Sequence, residues 1–543
     1  LLQPQTETPT ARHPILTRNA VRLHLLVIVG FMAFCGLIAY SRGQDTNYDQ
    51  LNYHYYSAYA FMTGRLTRDV APSQIMHNYF SPFPYLPFYF MVRHLPPRVV
   101  GTLLGALHGL NLWLVFVIAR IVSRPLPAPA RPTVIVASVI VSAAGPMVIS
   151  ELGTSMSDWL LSIPVLAGLA LAMGADRQPA ARFGLAGALT GAATSLKLTC
   201  APFALGLAAV SLIGWTRWRQ RLVAFLATGV GGGCGFVLIG GYWYWLMWRM
   251  FGNPLFPYFN NIFRSPDFSS AKPLFDAHYV PHSLLAAVHL PFLWIGLQKT
   301  TTEVPFRDIR FALLIVLAAV AFGCVAWRRG AVPRTAPAGR RLIAFMAVAF
   351  CLWMYEWSIQ RYLLTLELLT GPAFIVLLDW TGFFRHVRGR ALAASAAALA
   401  IVCAATVRPP DWGHLGWRKS WFDVSGPPLT EAHPLYILDG EPLSYVVPEL
   451  QPASPVIGIV AWEPVADWGN TVFLRRIHAL IADPQNSPVW SISVGPMTDS
   501  FKTTIARYGL KPDGACDTRR GRPLPLTWCP LARVQPVPVK PAP

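Results

Sequence analysis

The strongest constraint on this chain is a series of apolar stretches at 22–40, 99–119, 133–150, 157–174, 182–198, 200–215, 222–248, 309–327, 342–358, 362–380 and 391–406. A helix needs about twenty apolar residues to span the hydrocarbon of a bilayer, and fewer where neighbours thin it locally. By that ruler the chain folds as an all-α polytopic membrane protein of about eleven transmembrane helices. The composition agrees, since 54% of the 543 residues are hydrophobic and only 13% are charged, whereas soluble proteins carry about a quarter. The first run is long enough to span and has no small-residue cleavage site after it, so it reads as a membrane helix rather than a signal peptide.

Basic residues set the orientation. Arg12, Arg18 and Arg22 hold residues 1–21 in the cytoplasm, and further arginines (Arg120, Arg124 and Arg131; Arg177 and Arg182; Arg217, Arg219 and Arg221; Arg328, Arg329, Arg340 and Arg341; Arg385, Arg388 and Arg390) mark the other inner turns. Much of the net charge of +19 comes from such loops. The chain has no basic helix and no aromatic-studded basic groove, so no nucleic-acid partner is expected. Within a membrane domain of residues 22–406, alternation puts 41–98 outside as a first outer loop and 249–308 outside as a second.

Residues 407–543 then form an external C-terminal domain. Cys516 and Cys529, thirteen apart and without His or Cys neighbours at a metal spacing, read as a disulfide, which needs an oxidising compartment and agrees with that placement. The other six cysteines sit in or beside apolar runs as packing residues. A strand-like stretch at 456–460 and amphipathic stretches at 473–481 and 501–508 predict a small extracytoplasmic α/β domain. Its many prolines also allow an irregular cover on the membrane part. The outer loops are expected to carry interfacial helices: 77–84 is too proline-broken to span, and 283–297 is apolar but short.

This topology brings Asp45, Asp49, Glu151, Asp158, Lys197 and Arg361 to one membrane face. Ionisable groups beside hydrocarbon are costly and usually line a cavity or meet a ligand. If Asp49 begins a helix, Asn52, Tyr53 and Tyr56 share its face; the plain alternative is that Asp45 and Asp49 cap a solvated surface helix. Lys197 and Arg361 each suit a snorkelling anchor when taken alone. Together they suit a phosphate, which Arg meets with a planar fork and Lys with a point charge. No Walker A, zincin, nucleophile-elbow or dinucleotide motif is present. A carboxylate acting as base on a hydroxyl, with a leaving phosphate held by cations, suffices for glycosyl transfer from a lipid phosphate.

The layout and a set of local sequences together resemble the GT-C superfamily of membrane glycosyltransferases, in particular bacterial members that use polyprenyl-phosphate sugars. The local sequences are Tyr48-Asp49-Gln50-Leu51-Asn52-Tyr53-His54, Gly64-Arg65, Ser195-Leu196-Lys197-Leu198-Thr199, the stretch from Gly252 to Asn260, and Arg361-Tyr362. The resemblance implies an inverting transfer of a hexosyl or pentosyl group from a polyprenyl-phosphate donor to a glycan or lipid acceptor. The reaction would occur on the periplasmic face of a bacterial inner membrane. It also implies that an acid of the first outer loop is the base, a role carried first to Asp49, with Asp45 as its partner or substitute. Relatives often have adjacent acids, whereas these stand four apart, which leaves open both the choice and any need for a divalent cation (Mg or Mn); the sequence requires no cofactor. Lys197 and Arg361 would hold the donor phosphate. Asn52, Tyr53, His54, Tyr79, Asp158, Asn260 and Tyr362 would contact substrate, although ring packing at the headgroup level serves the aromatics equally well. Asp158 also suits a cap for the helix it opens. Two other readings are a transporter or flippase, which calls for ionisable groups at mid-membrane, and a glycan ligase or polymerase, which differs in acceptor.

Overall fold

The computed structural model describes residues 18–174, 178–215, 217–270, 274, 277–327, 335, 337–427, 433–460 and 469–534. Arg12, Arg177, Arg328, Arg329 and most of the expected N-terminal tail lie outside the described residues. All eleven apolar stretches are helical: α1 (Arg18–Arg42), α2 (Pro97–Ser123), α3 (Arg131–Ala143), α4 (Asp158–Met173), α5 (Pro179–Leu196), α6 (Ala201–Ser211), α7 (Trp218–Phe251), α8 (Arg310–Trp327), α9 (Ala338–Glu356), α10 (Leu364–Thr381) and α11 (Gly389–Thr406). Seven of them, α1, α2 and α7 to α11, are long and apolar enough to cross a membrane. The chain is a multi-pass membrane protein.

Their burial sorts them. Helix α10 lies at the centre, with every residue buried except Leu378 and Thr381. Helices α1, α7 and α11 lie outside and present Leu26, Val230, Leu238 and Ile401, which suit lipid. Apolar surface gains nothing by moving from lipid to protein, so helix association in a membrane relies on close backbone approach through small residues. Helices α5 and α7 meet this way: a Cβ added to Gly191 would lie 2.1 Å from the carbonyl oxygen of Gly232.

The stretch 133–150 departs from a single span. It breaks at Gly145-Pro146 into α3 and a short helix, Pro146–Ser150, because proline disfavours helical geometry in the residue before it. The N–H groups of Met147 and Val148, unpaired at the new helix start, donate to the Glu367 carboxylate of α10 at 3.0 and 3.4 Å. Residues 41–98 carry a π-helical turn, Gln50–His54, then helices Tyr55–Met62, Ile75–Asn78 and Leu86–His94; residues 249–308 carry Asn260–Phe263 and Leu284–Leu293.

The C-terminal region contains a mixed sheet. Its strands are β1 (Leu435–Asp439), β2 (Val456–Ile459), β3 (Val489–Ser493), β4 (Leu510–Pro512), β5 (Asp517–Arg519) and β6 (Leu526–Arg533). The order is β2-β1-β3-β6-β4, with β5 also on β6; β1 runs parallel to β2 and β3, and the remaining pairs are antiparallel. Helices α12 (Val472–Ala482) and α13 (Asp499–Ala506) are capped by Thr471 and Thr498 and bury Phe473, Ile477, Phe501 and Ile505. Cys516 and Cys529 are joined by a disulfide. The sheet does not stand apart: Val70 of the first outer loop exchanges two backbone hydrogen bonds with the β2 edge, each 2.9 Å, and buried Arg65 donates to the carbonyls of Pro452 and Ser454.

Candidate active site

The first outer loop begins with a turn at Gly43, where φ is +94° and a Cβ would meet the Leu415 carbonyl oxygen at 2.3 Å. This close approach lets Gln44 and Asp45 pair antiparallel with Leu415 and His414. The Asp45 carboxylate accepts hydrogen bonds from the Asn47 N–H (3.0 Å), Asn47 Nδ2 (2.7 Å), Gln50 Nε2 (2.6 Å) and the Ser155 N–H (2.9 Å). It is buried and does not line the large cavity described next. Through these four bonds Asp45 knots the loop that carries Asp49.

Asp49 stands one turn further on, and its side chain lines a cavity of about 1490 Å³. Arg361, on the turn Gln360–Leu363 that leads into α10, donates through Nη1 to Asp49 Oδ2. Lys197, immediately after α5, donates to both Asp158 oxygens at 2.7 and 2.8 Å. Both cations lie against one ring, with Lys197 Nζ 4.5 Å and the Arg361 guanidinium carbon 5.4 Å from the Tyr362 centroid. Lys197, Arg361 and Tyr362 line the same cavity as Asp49. The two cations proposed for a phosphate are therefore each paired with a carboxylate in this structure.

Burial pushes the Asp49 carboxyl up, but Arg361, His54, His77 and Lys197 outweigh it and hold it at about 2. Burial keeps His54 and His77 neutral, lowering them to about 3 and about 4. At neutral pH, then, the charge that keeps Asp49 ionised comes from Arg361, with Lys197 next. Lys197 itself is raised, because Asp158 and its other neighbours overcome the burial that would lower it.

The expected shared face is only partly formed. Tyr53 donates its hydroxyl to Asp49 at 3.2 Å, but the wider π-turn sends Asn52 to His77 (3.1 Å) and Tyr56 to Asp69 (2.9 Å). His54 meets the Ser155 hydroxyl at 2.9 Å and stacks on Tyr85 at 4.1 Å, behind the wall. Tyr79 lines the cavity yet is mostly enclosed by Phe251, Phe256 and Phe473. Asn260 does not line the cavity; it holds its own loop by donating to the carbonyls of Ser265 and Phe268 at 3.0 and 2.8 Å. Asp158 begins α4 without capping it, since its carboxylate is taken up by Lys197. Glu151 is fully buried with no hydrogen-bond partner on either oxygen, and burial pushes its carboxyl well up.

Several residues escaped the reading of the sequence. His77 stacks on Tyr53 at 4.9 Å and forms part of the cavity wall. Tyr48 donates to Glu441 of the C-terminal region, which also lines the cavity. Deeper in, Arg310 grips Asp308 with two bonds (2.8 and 2.6 Å) and faces Glu367 at 3.5 Å. Gln360 donates to Glu367 at 3.3 Å and thereby anchors the turn that carries Arg361. The signal for this buried group was available, since Arg310 and Glu367 are ionisable residues inside apolar stretches. Among the described residues, no three His, Cys, Asp or Glu side chains are grouped to hold a metal ion.

No protein-family model and no curated protein sequence matches the chain. Solved structures do. The crystal structure of ArnT from Cupriavidus metallidurans bound to undecaprenyl phosphate aligns over 94% of this chain and 98% of its own, with a TM-score of 0.50 and 14% identity. This chain has the GT-C fold. The apo ArnT structure (TM-score 0.39, 15% identity, 94% and 96% coverage) and the apo oligosaccharyltransferase of Archaeoglobus fulgidus (0.37, 11%, 80% and 64%) also match. At these identities the likeness is one of architecture. In this fold Asp49 comes from residues 41–98, Lys197 directly follows α5, and Arg361 lies on the turn that leads into α10.

Proposed function

We propose that this chain is an integral-membrane glycosyltransferase that moves a sugar from a polyprenyl-phosphate donor to a hydroxyl of a glycan or lipid acceptor, on the periplasmic face of a bacterial inner membrane. The observation that carries this reading is the convergence of Asp49, Lys197 and Arg361, from three distant parts of the sequence, on the wall of one large aromatic-lined cavity. The GT-C fold, found in an ArnT structure that holds undecaprenyl phosphate, supports a donor of the same chemical type here.

In this mechanism the acceptor oxygen attacks the anomeric carbon while Asp49 takes its proton, and the bond from that carbon to the phosphate oxygen breaks. The leaving lipid phosphate keeps the electron pair and is stabilised by Arg361 and Lys197. One displacement inverts the anomeric centre. Tyr53 orients Asp49, and Tyr362 keeps the two cations side by side. The test is sugar transfer in proteoliposomes, with a panel of polyprenyl-phosphate sugars and a membrane glycan extract, with and without Mg or Mn. Wild type transfers one sugar, and Asp49→Asn loses the activity by orders of magnitude while remaining folded. Undiminished transfer by Asp49→Asn sinks the assignment of the base; binding of donor without consumption by wild type points instead to transport.

A further inference from the structure

Three cations that the large cavity does not use stand at the Asp49 end of the membrane domain. Arg98 lies in the first turn of α2, and Arg418 and Lys419 follow Trp417 at the start of the C-terminal region. Trp417 brings the two segments into contact. Its indole N–H donates to the Tyr40 carbonyl near the end of α1 at 2.8 Å, and its ring packs so closely on α2 that a Cβ added to Gly101 would lie 2.4 Å from it. Gly101 is about one helical turn beyond Arg98. All three cations are exposed, and among the described residues none has an ion-pair or hydrogen-bond partner for its side chain. Arg93, at the end of the preceding helix, is by contrast engaged with Glu449 at 3.9 Å. Tyr40, Leu95, Val99 and Leu103 are exposed around them, an apolar surface of the kind that faces lipid.

Helix α2 also carries Arg120 and Arg124 at its other end, and the positive-inside rule accounts for one end of a span, not for both. Like charges gathered around one ring repel. At headgroup level a lipid of net negative charge removes that repulsion with its phosphate and covers the apolar surround with its acyl chains. We propose that Arg98, Arg418 and Lys419 form a site for an anionic phospholipid of the bilayer leaflet on the Asp49 side, its phosphate held between the start of α2 and the residues after Trp417. The bound lipid ties this segment to α2. Just before it, His414 and Leu415 pair with Asp45 and Gln44 at the root of the loop that carries Asp49. The site therefore lets the charge of the leaflet steady that loop, whatever group the large cavity transfers.

The experiment titrates dioleoyl phosphatidylglycerol, or its zwitterionic counterpart dioleoyl phosphatidylcholine, into the full chain in detergent and counts bound lipid by native mass spectrometry. Each cation near a lipid surface contributes about fivefold in affinity. Wild type accordingly holds one phosphatidylglycerol at least about tenfold more tightly than phosphatidylcholine. The triple variant Arg98→Gln, Arg418→Gln, Lys419→Gln brings the two lipids within about twofold. A control with the same loss of charge, Lys502→Gln, Lys511→Gln, Arg520→Gln, keeps the preference. No preference in wild type overturns the proposal, and so does a control that loses it as fully as the first variant. If the triple variant does not fold, Arg98→Gln alone weakens phosphatidylglycerol binding about fivefold and leaves phosphatidylcholine unchanged; unchanged binding of both lipids overturns the site. Thermal unfolding gives a second readout: phosphatidylglycerol stabilises wild type more than phosphatidylcholine does, and an equal difference in the triple variant overturns the assignment of these residues.

Discussion

Replacing Arg361 by Gln tests the electrostatic core of the site. In the free protein Arg361 is the nearest cation to Asp49, and the two side chains are 14% and 9% exposed, so water screens the pair only modestly. Two unit charges about 4 Å apart at an effective dielectric of about 20 interact by about 4 kcal/mol. Lys197 remains and water enters the vacated space, so about two-thirds of that is lost to Asp49, equivalent to about two pH units at 1.36 kcal/mol each. The sign follows from the chemistry. Asp49 works as a carboxylate, is held at about 2 in the free protein, and fails only when protonated, so wild-type kcat/KM stays flat on the acid side down to about pH 4. In Arg361→Gln burial is less opposed, the carboxyl rises, and kcat/KM bends downward below about pH 5, in addition to a uniform loss of donor affinity. The assay is transfer of a radiolabelled sugar in proteoliposomes between pH 4 and 8, analysed as kcat/KM because that ratio reports the free enzyme. A variant whose rate drops by one factor at every pH, with no change of shape, refutes the claim that Arg361 sets the charge of Asp49.

Two further outcomes follow from the geometry. Asp45→Asn puts an amide where a carboxylate accepts four hydrogen bonds; it lowers stability by about 2 kcal/mol, read by thermal unfolding in detergent, while the folded fraction transfers sugar within a few-fold of wild type. Replacing Cys516 and Cys529 by Ser opens a loop of separation thirteen and costs about 3 kcal/mol in the unfolding of the C-terminal sheet; transfer at low temperature persists, because neither cysteine lines the cavity.

Much of the architecture was legible because long hydrophobic runs report directly on a bilayer. All eleven stretches became helices, and the expected strand at 456–460 and amphipathic segments at 473–481 and 501–508 became β2, α12 and α13. Asp49, Lys197 and Arg361, singled out by residue type, line one cavity, but their pairing was not legible. Spacing alone does not reveal that Asp49 meets a residue 312 positions away, or that Asp158 serves Lys197 rather than its own helix start. Local periodicity also misjudged the Asp49 helix, since a π-turn rotates every later side chain relative to the α-helical pattern that places Asn52 and Tyr56 beside the acid. The role of the C-terminal region was hidden for the same reason: Glu441 reaches the cavity only through tertiary contact.

The division of labour around the cavity has a physical cause. The cations are held by elements that are rigid without help: Arg361 sits on a turn braced by Gln360 and Glu367 at the head of the most buried helix, and Lys197 follows a helix locked to α7 at glycine contact distance. Asp49 is held differently, on the turn Gln50–His54 and its approach rather than on one of the long helices. It comes instead from a loop, and a loop of small local stability needs bonds from elsewhere to hold a side chain in place. Those bonds come from the far end of the sequence. His414 and Leu415 pair with Asp45 and Gln44, Trp421 accepts from Gln44 at 2.6 Å and donates to Gln50 at 2.5 Å, and Ser444 donates to the Asn52 carbonyl. The residues that flank Asp49 on both sides are therefore fixed by the C-terminal region, which makes that region part of what positions the Asp49 carboxylate.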